Sequence, residues 1–488
     1  MASFHPLQFF SGASKSGYEL LPFRFSKLDA ERYAVTNLSG EYLVLSNQKL
    51  KDFVTHRLDS TDPDYVNLRG KQFLLDEHNP IAPELLALKV RTRYARLADF
   101  TSLHIFVVTL RCEHSCAYCQ VSRQSEDKNA FDMSYEVADK SLDLTFKSPS
   151  PAIKIEFQGG ESLLNFDLVK YIVIEARKRN ETEKRNLAFI IATNLALVDE
   201  EILMFCKEHK VSISSSLDGP ADIHNKNRPR PGKNSHQKVT DGIALCREIL
   251  GDDEVSALMT TTEASLSRPR EIIDEYRRNG FDGIFLRKMS PYGFAIKTKS
   301  FSAYTANKWL DFYKQGLDYI ITLNRSGVPF KEYYAATILT KMLTNGDPGF
   351  VDLMSPAGIG IAAVVYNYDG YVYPSDESRM LAEMGDDTFR MGHVLTDSYE
   401  DLFSSDALLI PIEESFALSA PMCTDCAYEP FCGADPVRHW ALHKDFLAKK
   451  PESEFCHLNM EIIKHLICLM ESDKYIKQLF YRWANRSC

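Results

Sequence analysis

An alternation of strand-like and helix-like segments from residue 103 onward most limits what this 488-residue chain can fold into. Six short apolar runs have the length of strands, and amphipathic segments with helical periodicity lie between them. The predicted strands are Leu103–Leu110, Ile153–Phe157, Leu187–Thr193, Val211–Ser216, Ala257–Thr261 and Ile284–Arg287. The predicted helices are Tyr135–Phe146, Phe166–Lys178, Val198–His209, Val239–Leu250 and Pro269–Asn279. Such βα units predict an α/β fold, in which a parallel sheet with right-handed crossovers closes wholly or partly into a (β/α)6 TIM-like barrel.

Polar and glycine-containing segments follow the predicted strands, at the point where each strand ends. In barrels of this type, the loops at the strand C-termini carry the chemistry. We therefore expect these segments to meet on one rim of the barrel. In chain order they are Cys112–Cys119, Gln158–Glu161, Thr193–Asn194, Ser216–Pro220, Thr260–Thr262 and Arg287–Met289.

Three cysteines, Cys112, Cys116 and Cys119, lie within eight residues and have C-x3-C-x2-C spacing. A structural zinc site needs four ligands, and the nearby fourth ligand, His114, lies at an unusual offset between two of the cysteines. Three thiolates suit a [4Fe–4S] cluster with one open iron, which can bind a small molecule and pass it an electron. A zinc knuckle is the alternative.

This triplet, with Tyr118 just before its last cysteine, resembles the signature of the radical SAM superfamily. The resemblance implies that Cys112, Cys116 and Cys119 hold a SAM-binding [4Fe–4S] cluster, and that Tyr118 belongs to the same site. It also implies a fold, the partial barrel already predicted from the alternation.

Further residues at the strand ends resemble the family's contacts with S-adenosylmethionine. Gly159-Gly160-Glu161 matches a Gly-Gly-Glu motif that holds the methionine amino group, although a tight turn would explain the glycines alone. Ser216 matches a serine that helps to fix the carboxylate or ribose, and Arg228 would suit the carboxylate as a bidentate fork. A helix cap or a solvated charge is the alternative at these positions. The other residues assigned to cofactor binding are Thr193, Asn194, Asp218 and Arg287.

A second group of cysteines lies near the C-terminus, at Cys423, Cys426, Cys432 and Cys456. Its C-x2-C-x5-C spacing with a later fourth thiol suits either a closed zinc site or an auxiliary [4Fe–4S] cluster. Without an export signal, the eleven cysteines are expected to be mostly reduced. Those outside the two groups are predicted to be core residues or, at the chain end, a frayed thiol: Cys206, Cys246, Cys468 and Cys488.

The second group resembles the SPASM extension of radical SAM peptide maturases, in which cysteines after the barrel bind one or two extra clusters. Ser375 and Pro436 stand where that pattern often has cysteines, so the resemblance implies one auxiliary cluster, as in the shorter twitch domain. The stretch from Val364 to Tyr373 is typical of a hairpin with an Asp-Gly turn. In anaerobic sulfatase-maturating enzymes, a similar Tyr-Pro-Cys-Asp run supplies an aspartate that takes a substrate proton. This implies a catalytic role for Asp376, with a turn aspartate as the alternative.

Three domains are predicted: residues 1–98, a small α+β domain; residues 99–330, the barrel; and residues 331–488, the SPASM/twitch-like extension. In the first, a hairpin at Tyr33–Leu45 precedes a helix near Gln48–Leu58 and a strand at Phe73–Leu75. This domain is interpreted as a winged-helix-like peptide-recognition element, or as a packing cap on the barrel. Glu461–Arg482 is predicted to be a capping helix.

Four stretches, at residues 21–25, 103–116, 120–124 and 156–161, resemble the His-Xaa-Ser system radical SAM maturases. That resemblance implies a small peptide or protein partner with His-Xaa-Ser repeats. It also implies an electron donor such as flavodoxin or ferredoxin.

Charge and hydropathy exclude two other classes of partner. Lys and Arg number 57 against 67 Asp and Glu, a net charge of −10, and no long basic run favours nucleic acid. No apolar run reaches the roughly 18 residues of a membrane span, and residues 1–6 lack the basic start of a signal peptide. We therefore expect a cytoplasmic protein with no membrane partner.

These predictions combine into one functional hypothesis. A reduced cluster cleaves SAM to methionine and a 5′-deoxyadenosyl radical, which oxidatively modifies or crosslinks residues of a ribosomally made peptide or protein. One alternative is a radical SAM dehydrogenase or epimerase that acts on a small molecule or a single side chain. Another is a non-catalytic interaction module that binds zinc.

Overall fold

A mixed sheet of eight strands forms the centre of the molecule. The computed structural model describes residues 17–485, so the predictions for residues 1–6 and Cys488 fall outside it. In chain order the strands are β1 (Tyr18–Leu20), β2 (Phe23–Lys27), β3 (Arg32–Asn37), β4 (Tyr42–Ser46), β5 (Leu74–Asp76), β6 (Leu103–Thr109), β7 (Ala152–Gly159), β8 (Asn186–Ala192), β9 (Val211–Ser216), β10 (Val255–Leu258), β11 (Gly283–Ile284), β12 (Lys331–Glu332), β13 (Ala363–Tyr366), β14 (Tyr371–Tyr373) and β15 (Gly392–His393).

Helices follow most of the barrel strands and fill the C-terminal region. They are α1 (Asn47–Val54), α2 (Pro63–Gly70), α3 (Ala82–Tyr94), α4 (Lys128–Phe131), α5 (Tyr135–Thr145), α6 (Phe166–Glu183), α7 (Glu200–Glu208), α8 (Ala221–Asn227), α9 (Ser235–Leu250), α10 (Pro269–Arg278), α11 (Phe294–Lys297), α12 (Ala306–Arg325), α13 (Tyr333–Leu343), α14 (Asp376–Ala382), α15 (Tyr399–Phe403), α16 (Asp406–Glu414), α17 (Pro436–His443), α18 (Glu454–Ser472) and α19 (Lys474–Ala484).

The central sheet runs in the order β10-β9-β8-β7-β6-β13-β14-β15. Strands β6 to β10 and β13 are parallel; Leu103 of β6 lies opposite Lys154 on one side and Ala363 on the other. The last two strands are antiparallel. Strand β6 is buried along almost its whole length, because both faces of a central parallel strand are covered. The α/β fold with a parallel barrel-type sheet is therefore confirmed.

The sixth barrel strand differs from its prediction at Ile284–Arg287. Strand β11 is short and pairs with β12, and within residues 17–485 the central sheet ends at β10. The backbone turns after Ile284, since the Arg287 amide donates to the Phe285 carbonyl at 2.8 Å. Residues from Phe285 to Lys288 line a cavity and so leave the strand ladder. Strand β10 also ends early, because the Thr260 amide donates to the Asp218 side chain at 3.2 Å.

The N-terminal part has its own small sheet and apolar core. Strands β2, β3 and β4 are antiparallel, with Tyr33 opposite Leu45, which confirms the predicted hairpin. Strand β1 pairs with β5, and helices α1 and α2 contribute Phe53 and Leu68 to the same core. The two domain boundaries stay predictions; strand pairing crosses the one at 330/331, because β12 pairs with β11 and β13 pairs with β6.

The C-terminal region begins with the predicted hairpin, in which Val365 lies opposite Tyr373. The predicted capping helix Glu461–Arg482 is two helices, α18 and α19, because the Asp473 carboxylate accepts from the Tyr475 amide and starts a new helix there. Among the scattered cysteines, Cys206 and Cys246 are buried in the core, as predicted, and Cys468 is half-buried.

Across residues 17–485, every helix is either too short or too polar to cross a lipid bilayer.

Candidate active site

A cavity with about 1130 Å³ of empty space, which includes its opening to solvent, lies where strands β6 to β9 end. It brings together most of the residues that the sequence predicts for the first cluster and for SAM. Eleven of them line it, together with the predicted base Asp376: Cys112, Cys116, Tyr118, Cys119, Gly159, Gly160, Thr193, Asn194, Ser216, Arg228 and Arg287. Two more, Glu161 and Asp218, lie behind its wall and bind the residues that form it. The four C-terminal cysteines belong to a separate group.

The base of the cysteine loop is held by a buried ion pair that the sequence analysis did not predict. Arg111, 4% exposed, donates to both carboxylate oxygens of Asp132, at 2.6 and 2.8 Å. The same carboxylate accepts from the Thr109 hydroxyl at 2.6 Å. This bidentate pair fixes the point where β6 becomes the loop. The partners are 21 residues apart, which no local sequence pattern reveals.

Backbone contacts hold the rest of the loop from the far side of the barrel. The Ser115 amide donates to the Pro229 carbonyl at 2.8 Å, and the Phe294 amide donates to the Cys119 carbonyl at 2.7 Å. Gly293 has φ +57°, and a Cβ there would lie 2.5 Å from the Gln120 carbonyl oxygen. A side chain at Gly293 would push this segment off the cysteine loop.

The three thiols are spread more widely than ligands of one metal ion. Among residues 17–485, only Cys112, Glu113 and His114 bring three possible ligand atoms within 4.8 Å of one another. Cys116 and Cys119 lie outside that group, although they share the cavity with Cys112. This arrangement fits a cluster of several irons, whose thiolates bind at separate corners.

Gly159 and Gly160 bring the end of β7 close to the cysteine loop. Gly159 has φ +148°, and a Cβ there would lie 1.9 Å from the Thr109 carbonyl oxygen. The Gly160 amide donates to that carbonyl at 2.9 Å. The glycines are therefore required by close backbone approach, which is consistent with their predicted place beside the cofactor.

Glu161 is buried and binds protein groups around the cavity. Its carboxylate accepts from the Thr193 hydroxyl at 2.6 Å, the Asn194 amide at 2.7 Å and the Leu163 amide at 3.1 Å. Burial and the nearby Glu113 charge raise the pKa of Glu161 to about 7, against the lowering effect of those bonds. In this arrangement Glu161 orients Thr193 and Asn194, which line the cavity.

Asp218 is fully buried and joins two residues of the cavity wall. Its carboxylate accepts from the Tyr118 hydroxyl at 2.5 Å and from the Arg228 guanidinium at 3.1 and 3.3 Å. The guanidinium also lies over the Tyr118 ring, 5.4 Å from its centre. Burial alone would raise the pKa of Asp218, but the charges of Arg228 and His224 and the hydrogen bonds from Tyr118 and Arg228 together outweigh it, and the pKa lies below its usual value. Arg228 is therefore not the solvated charge of the alternative interpretation.

Ser215 and Glu156 line the cavity although the sequence analysis did not select them, and Gln158, the first residue of the predicted Gln158–Glu161 segment, lines it as well. The Ser215 hydroxyl is buried and, within the described residues, lacks a hydrogen-bond partner, so it is available to a bound molecule. In β7, Glu156 accepts from Gln158 at 2.7 Å. The signal for this pair was the polar residue at every second position of an otherwise apolar strand.

Asp376 enters the same cavity from the C-terminal region. It is the first residue of α14, which Ser375 caps by accepting from the Ser378 amide. The Asp376 carboxylate pairs with Arg379 at 2.9 Å, and Arg379 also donates to the Val121 carbonyl of the cysteine loop at 3.0 Å. Ser375, which replaces a family cysteine, therefore has a structural role as helix cap.

The second cysteine group is compact enough for its thiols to act on one another. Cys423, Cys426 and Cys432 each raise the pKa of Cys456, beyond the larger effect of burial. Cys456 lies in the first turn of α18, where its amide donates to Ser453. The four predicted ligands are therefore close enough to interact electrostatically.

Buried charges hold the loop that carries Cys432. Lys341 donates to the Cys432 carbonyl at 2.6 Å, and Lys450 donates to the Gly433 carbonyl at 2.7 Å. Arg24 of β2 pairs with Glu429 at 2.8 Å, with both side chains under 10% exposed. The N-terminal sheet is therefore bound directly to the auxiliary cysteine loop.

Comparison with known proteins finds a family similarity in the barrel part of the chain. The family model described as the Radical SAM superfamily matches residues 106–275, about a third of the chain. This matched part is therefore a radical SAM domain, and it includes the three cysteines of the first group.

Individual relatives extend the similarity. An uncharacterized protein of Methanocaldococcus jannaschii is 33% identical over 144 residues, which cover 29% of this chain and about half (48%) of that protein. A cysteine-type anaerobic sulfatase-maturating enzyme of Clostridium perfringens is 22% identical over 343 residues, or 68% of this chain and 87% of that protein.

Two solved structures share the fold. Native anSMEcpe with bound AdoMet has a TM-score of 0.61 at 19% identity, and the match covers 80% of this chain and 100% of that chain. Streptococcus suis SuiB bound to precursor peptide SuiA has a TM-score of 0.50 at 14% identity, and covers 86% and 96%.

Proposed function

We propose that this chain is a radical SAM maturase that oxidises residues of a ribosomally made peptide or protein. The observation that carries the proposal is the single cavity into which Cys112, Cys116, Cys119 and Asp376 all project. The electron-transfer site and the candidate base lie more than 250 residues apart in the chain, yet they face the same space. Similarity to a sulfatase-maturating enzyme and to a structure with a precursor peptide supports a polypeptide substrate.

In this proposal the cavity wall binds and orients SAM. Arg228 presents a guanidinium that Asp218 holds in place, and this suits a carboxylate. Thr193 and Asn194, oriented by Glu161, supply further polar contacts, and Gly159 allows the end of β7 to lie against the backbone at the start of the cysteine loop. Cys112, Cys116 and Cys119 hold the [4Fe–4S] cluster beside it.

When bound, these groups supply a 5′-deoxyadenosyl radical that removes one hydrogen atom from the substrate, and an auxiliary cluster on Cys423, Cys426, Cys432 and Cys456 accepts one electron. Asp376 takes the remaining proton at its carboxylate, so the substrate loses two hydrogens in all. Arg379 orients Asp376 for this step and ties it to the cysteine loop.

Geometry supports iron rather than zinc at the auxiliary cysteines. Zinc–sulfur bonds of about 2.3 Å place tetrahedral thiolates about 3.8 Å apart. Among the residues that the structure describes, no three of the four thiols lie within 4.8 Å of one another. A cluster, with its thiolates at separate corners, matches that wider spread.

The finer proposals concern partners. The substrate is a protein with His-Xaa-Ser repeats, and flavodoxin or ferredoxin supplies the electron. The N-terminal sheet, bound to the auxiliary loop through Arg24 and Glu429, is the element proposed to recognise the substrate.

The test begins with anaerobic reconstitution. We expect about eight irons per chain, and about four after Cys112, Cys116 and Cys119 are replaced by alanine. The reduced wild type should convert SAM to 5′-deoxyadenosine. A co-expressed His-Xaa-Ser protein should lose the mass of two hydrogens at each modified site. Absence of 5′-deoxyadenosine from iron-replete, reduced protein would refute the assignment.

Two variants distinguish loss of the proton acceptor from a general loss of folding or activity. Asp376→Asn should abolish the modified product while it reduces SAM cleavage much less. Asp387→Asn, at an exposed acid nearby, should leave both unchanged. Equal product yield from Asp376→Asn and wild type would exclude Asp376 as the base.

A further inference from the structure

A second cavity, with about 730 Å³ of empty space that includes its opening to solvent, adjoins the first. Arg287 lines both cavities. Asp376 lines the first, and the next residue, Glu377, lines the second. The Arg287 guanidinium lies 3.9 Å from the Glu377 carboxylate. The two spaces therefore meet at the start of α14, and a molecule in the second lies next to the proposed proton acceptor.

Three carboxylates face this second cavity, from three separate segments: Asp352, Glu377 and Asp435. Arg287 provides one positive charge against them. Burial raises the pKa of Asp352 and of Glu377 to about 7, and Asp435 adds to this effect at Asp352. The three carboxylates thus carry more potential negative charge than Arg287 can balance.

The other two cations on the cavity wall are already paired. Arg438 donates to the Glu454 carboxylate at 2.6 Å, and Lys288 donates to the same oxygen at 3.1 Å. Both also lie over the Phe301 ring, at 5.7 and 4.9 Å from its centre. Their shortest side-chain contacts are with Glu454 and Phe301, so they offset the three carboxylates only in part: the Arg438 charge lowers the pKa of Asp352 and of Asp435, against the larger raising effect of burial.

The acidic groups do not form a three-carboxylate metal site. Among residues 17–485, Asp352, Glu377 and Asp435 do not bring three ligand atoms within 4.8 Å of one another. A divalent cation bound by all three carboxylates would need its oxygen ligands about that close or closer. The spacing favours a larger organic cation.

The remaining wall is aromatic and offers two unused donors. Phe285 stacks on Tyr334 with the ring centres 5.5 Å apart. The Tyr292 hydroxyl and the Trp309 indole N–H are buried, at 1% and 3% residue exposure, and within the described residues neither has a hydrogen-bond partner. Buried polar groups usually have a hydrogen-bond partner, from the protein, a water molecule or a ligand. Peptide carbonyls would accept from them, and aromatic faces favour cations.

We propose that this second cavity binds a positively charged side chain of the peptide substrate, a lysine, an arginine or a protonated histidine close to the residue that is modified. This inference rests on the proposed function and names the chemistry of its substrate. Asp352, Glu377 and Asp435 bind the charge, and Tyr292 and Trp309 bind the adjacent backbone.

The experiment measures binding without catalysis. Reconstituted, immobilised enzyme with SAM and no reductant is mixed, at physiological salt, with short acetylated and amidated peptides that differ only at the central residue: Lys, Arg, His, Gln or Glu. Retained peptides are counted by mass spectrometry. We expect at least one cationic peptide to be retained about tenfold over the Gln peptide, since hydrogen bonds to charged groups are of that strength.

Variants locate the preference. Glu377→Gln and Asp352→Asn should each bring the cation-to-Gln ratio near one, whereas Glu414→Gln, at an exposed acid, should keep it. Tyr292→Phe should weaken the binding of all the peptides by a similar factor and leave the cation-to-Gln ratio unchanged. A ratio near one for the wild type, or a ratio that survives both acid variants, would overturn the proposal. Because no turnover is needed, this result is independent of whether the enzyme modifies a peptide.

Discussion

Replacement of Asp218 by asparagine tests how the cavity wall is held. Asp218 binds Tyr118, Arg228 and the Thr260 amide from a fully buried position. The Arg228 side chain is 15% exposed, so little water can replace the lost charge. Loss of one partner of a buried pair costs about 3–5 kcal/mol. The asparagine oxygen still accepts a bond, which places the expected loss of unfolding free energy near 3 kcal/mol.

Urea unfolding of the wild type and Asp218→Asn measures that loss. Because the folded pKa of Asp218 lies below its unfolded value, its contribution is present above about pH 4 and disappears as the pH falls through the folded pKa. The difference between the two proteins should therefore shrink in acid. SAM affinity should fall as well, since Tyr118 and Arg228 line the cavity.

Two further proteins complete the test. Asp218→Asn combined with Arg228→Met should be more stable than the sum of the single changes predicts, by about 1 kcal/mol or more, because the unpaired charge is gone. Asp139→Asn, which breaks an exposed pair with Arg179, should cost less than about 1 kcal/mol. Strict additivity, or an Asp218→Asn variant as stable as the wild type, would refute the reasoning.

Three other predictions concern Gly159, His104 and the Arg24–Glu429 ion pair. Gly159→Ala should remove iron from the first cluster, because its Cβ would lie 1.9 Å from a carbonyl oxygen, whereas Gly251→Ala, with φ +106° and open space, should keep it. Burial lowers the pKa of His104 to about 4, so between pH 7 and pH 4 the unfolded chain takes up a proton at this residue that the folded chain does not. Over that range the free energy of unfolding of the wild type should fall by up to about 3 kcal/mol relative to that of His104→Gln. If urea unfolding gave the two proteins the same pH dependence, this prediction would be wrong. Glu429→Gln should lower the melting temperature more than the double change with Arg24→Met does, because the latter leaves no buried charge unpaired.

Local patterns were sufficient for much of the first cavity. The cysteine spacing, the paired glycines and the polar residues after each strand are all signals within a few residues. Strand C-termini meet at one edge of a parallel sheet, so their order along the chain predicted that Cys112, Gly159 and Thr193 would lie together. Tyr118 and Arg228 also share that cavity.

Long-range contacts were outside the reach of such patterns. Gly293 supports Gln120, and Arg379 supports Val121, across more than 170 residues. Nothing near Gly293 distinguishes it from an ordinary loop glycine. The predicted sixth strand extended too far for a related reason. Apolar residues continue past Ile284 and line a cavity, and hydrophobicity alone does not distinguish residues that line a cavity from residues of a strand.

Asp376 and Glu377 are neighbours in the chain but face different cavities. Their Cα atoms are therefore about 3.8 Å apart, close to the rise per residue of an extended peptide. Successive side chains of such a peptide point in opposite directions. A substrate that crosses the start of α14 would thus present one side chain to each space. Recognition would then depend on the number of substrate residues between the positively charged side chain and the residue that is modified. Insertion of one residue between them would bring a different side chain to the reactive centre.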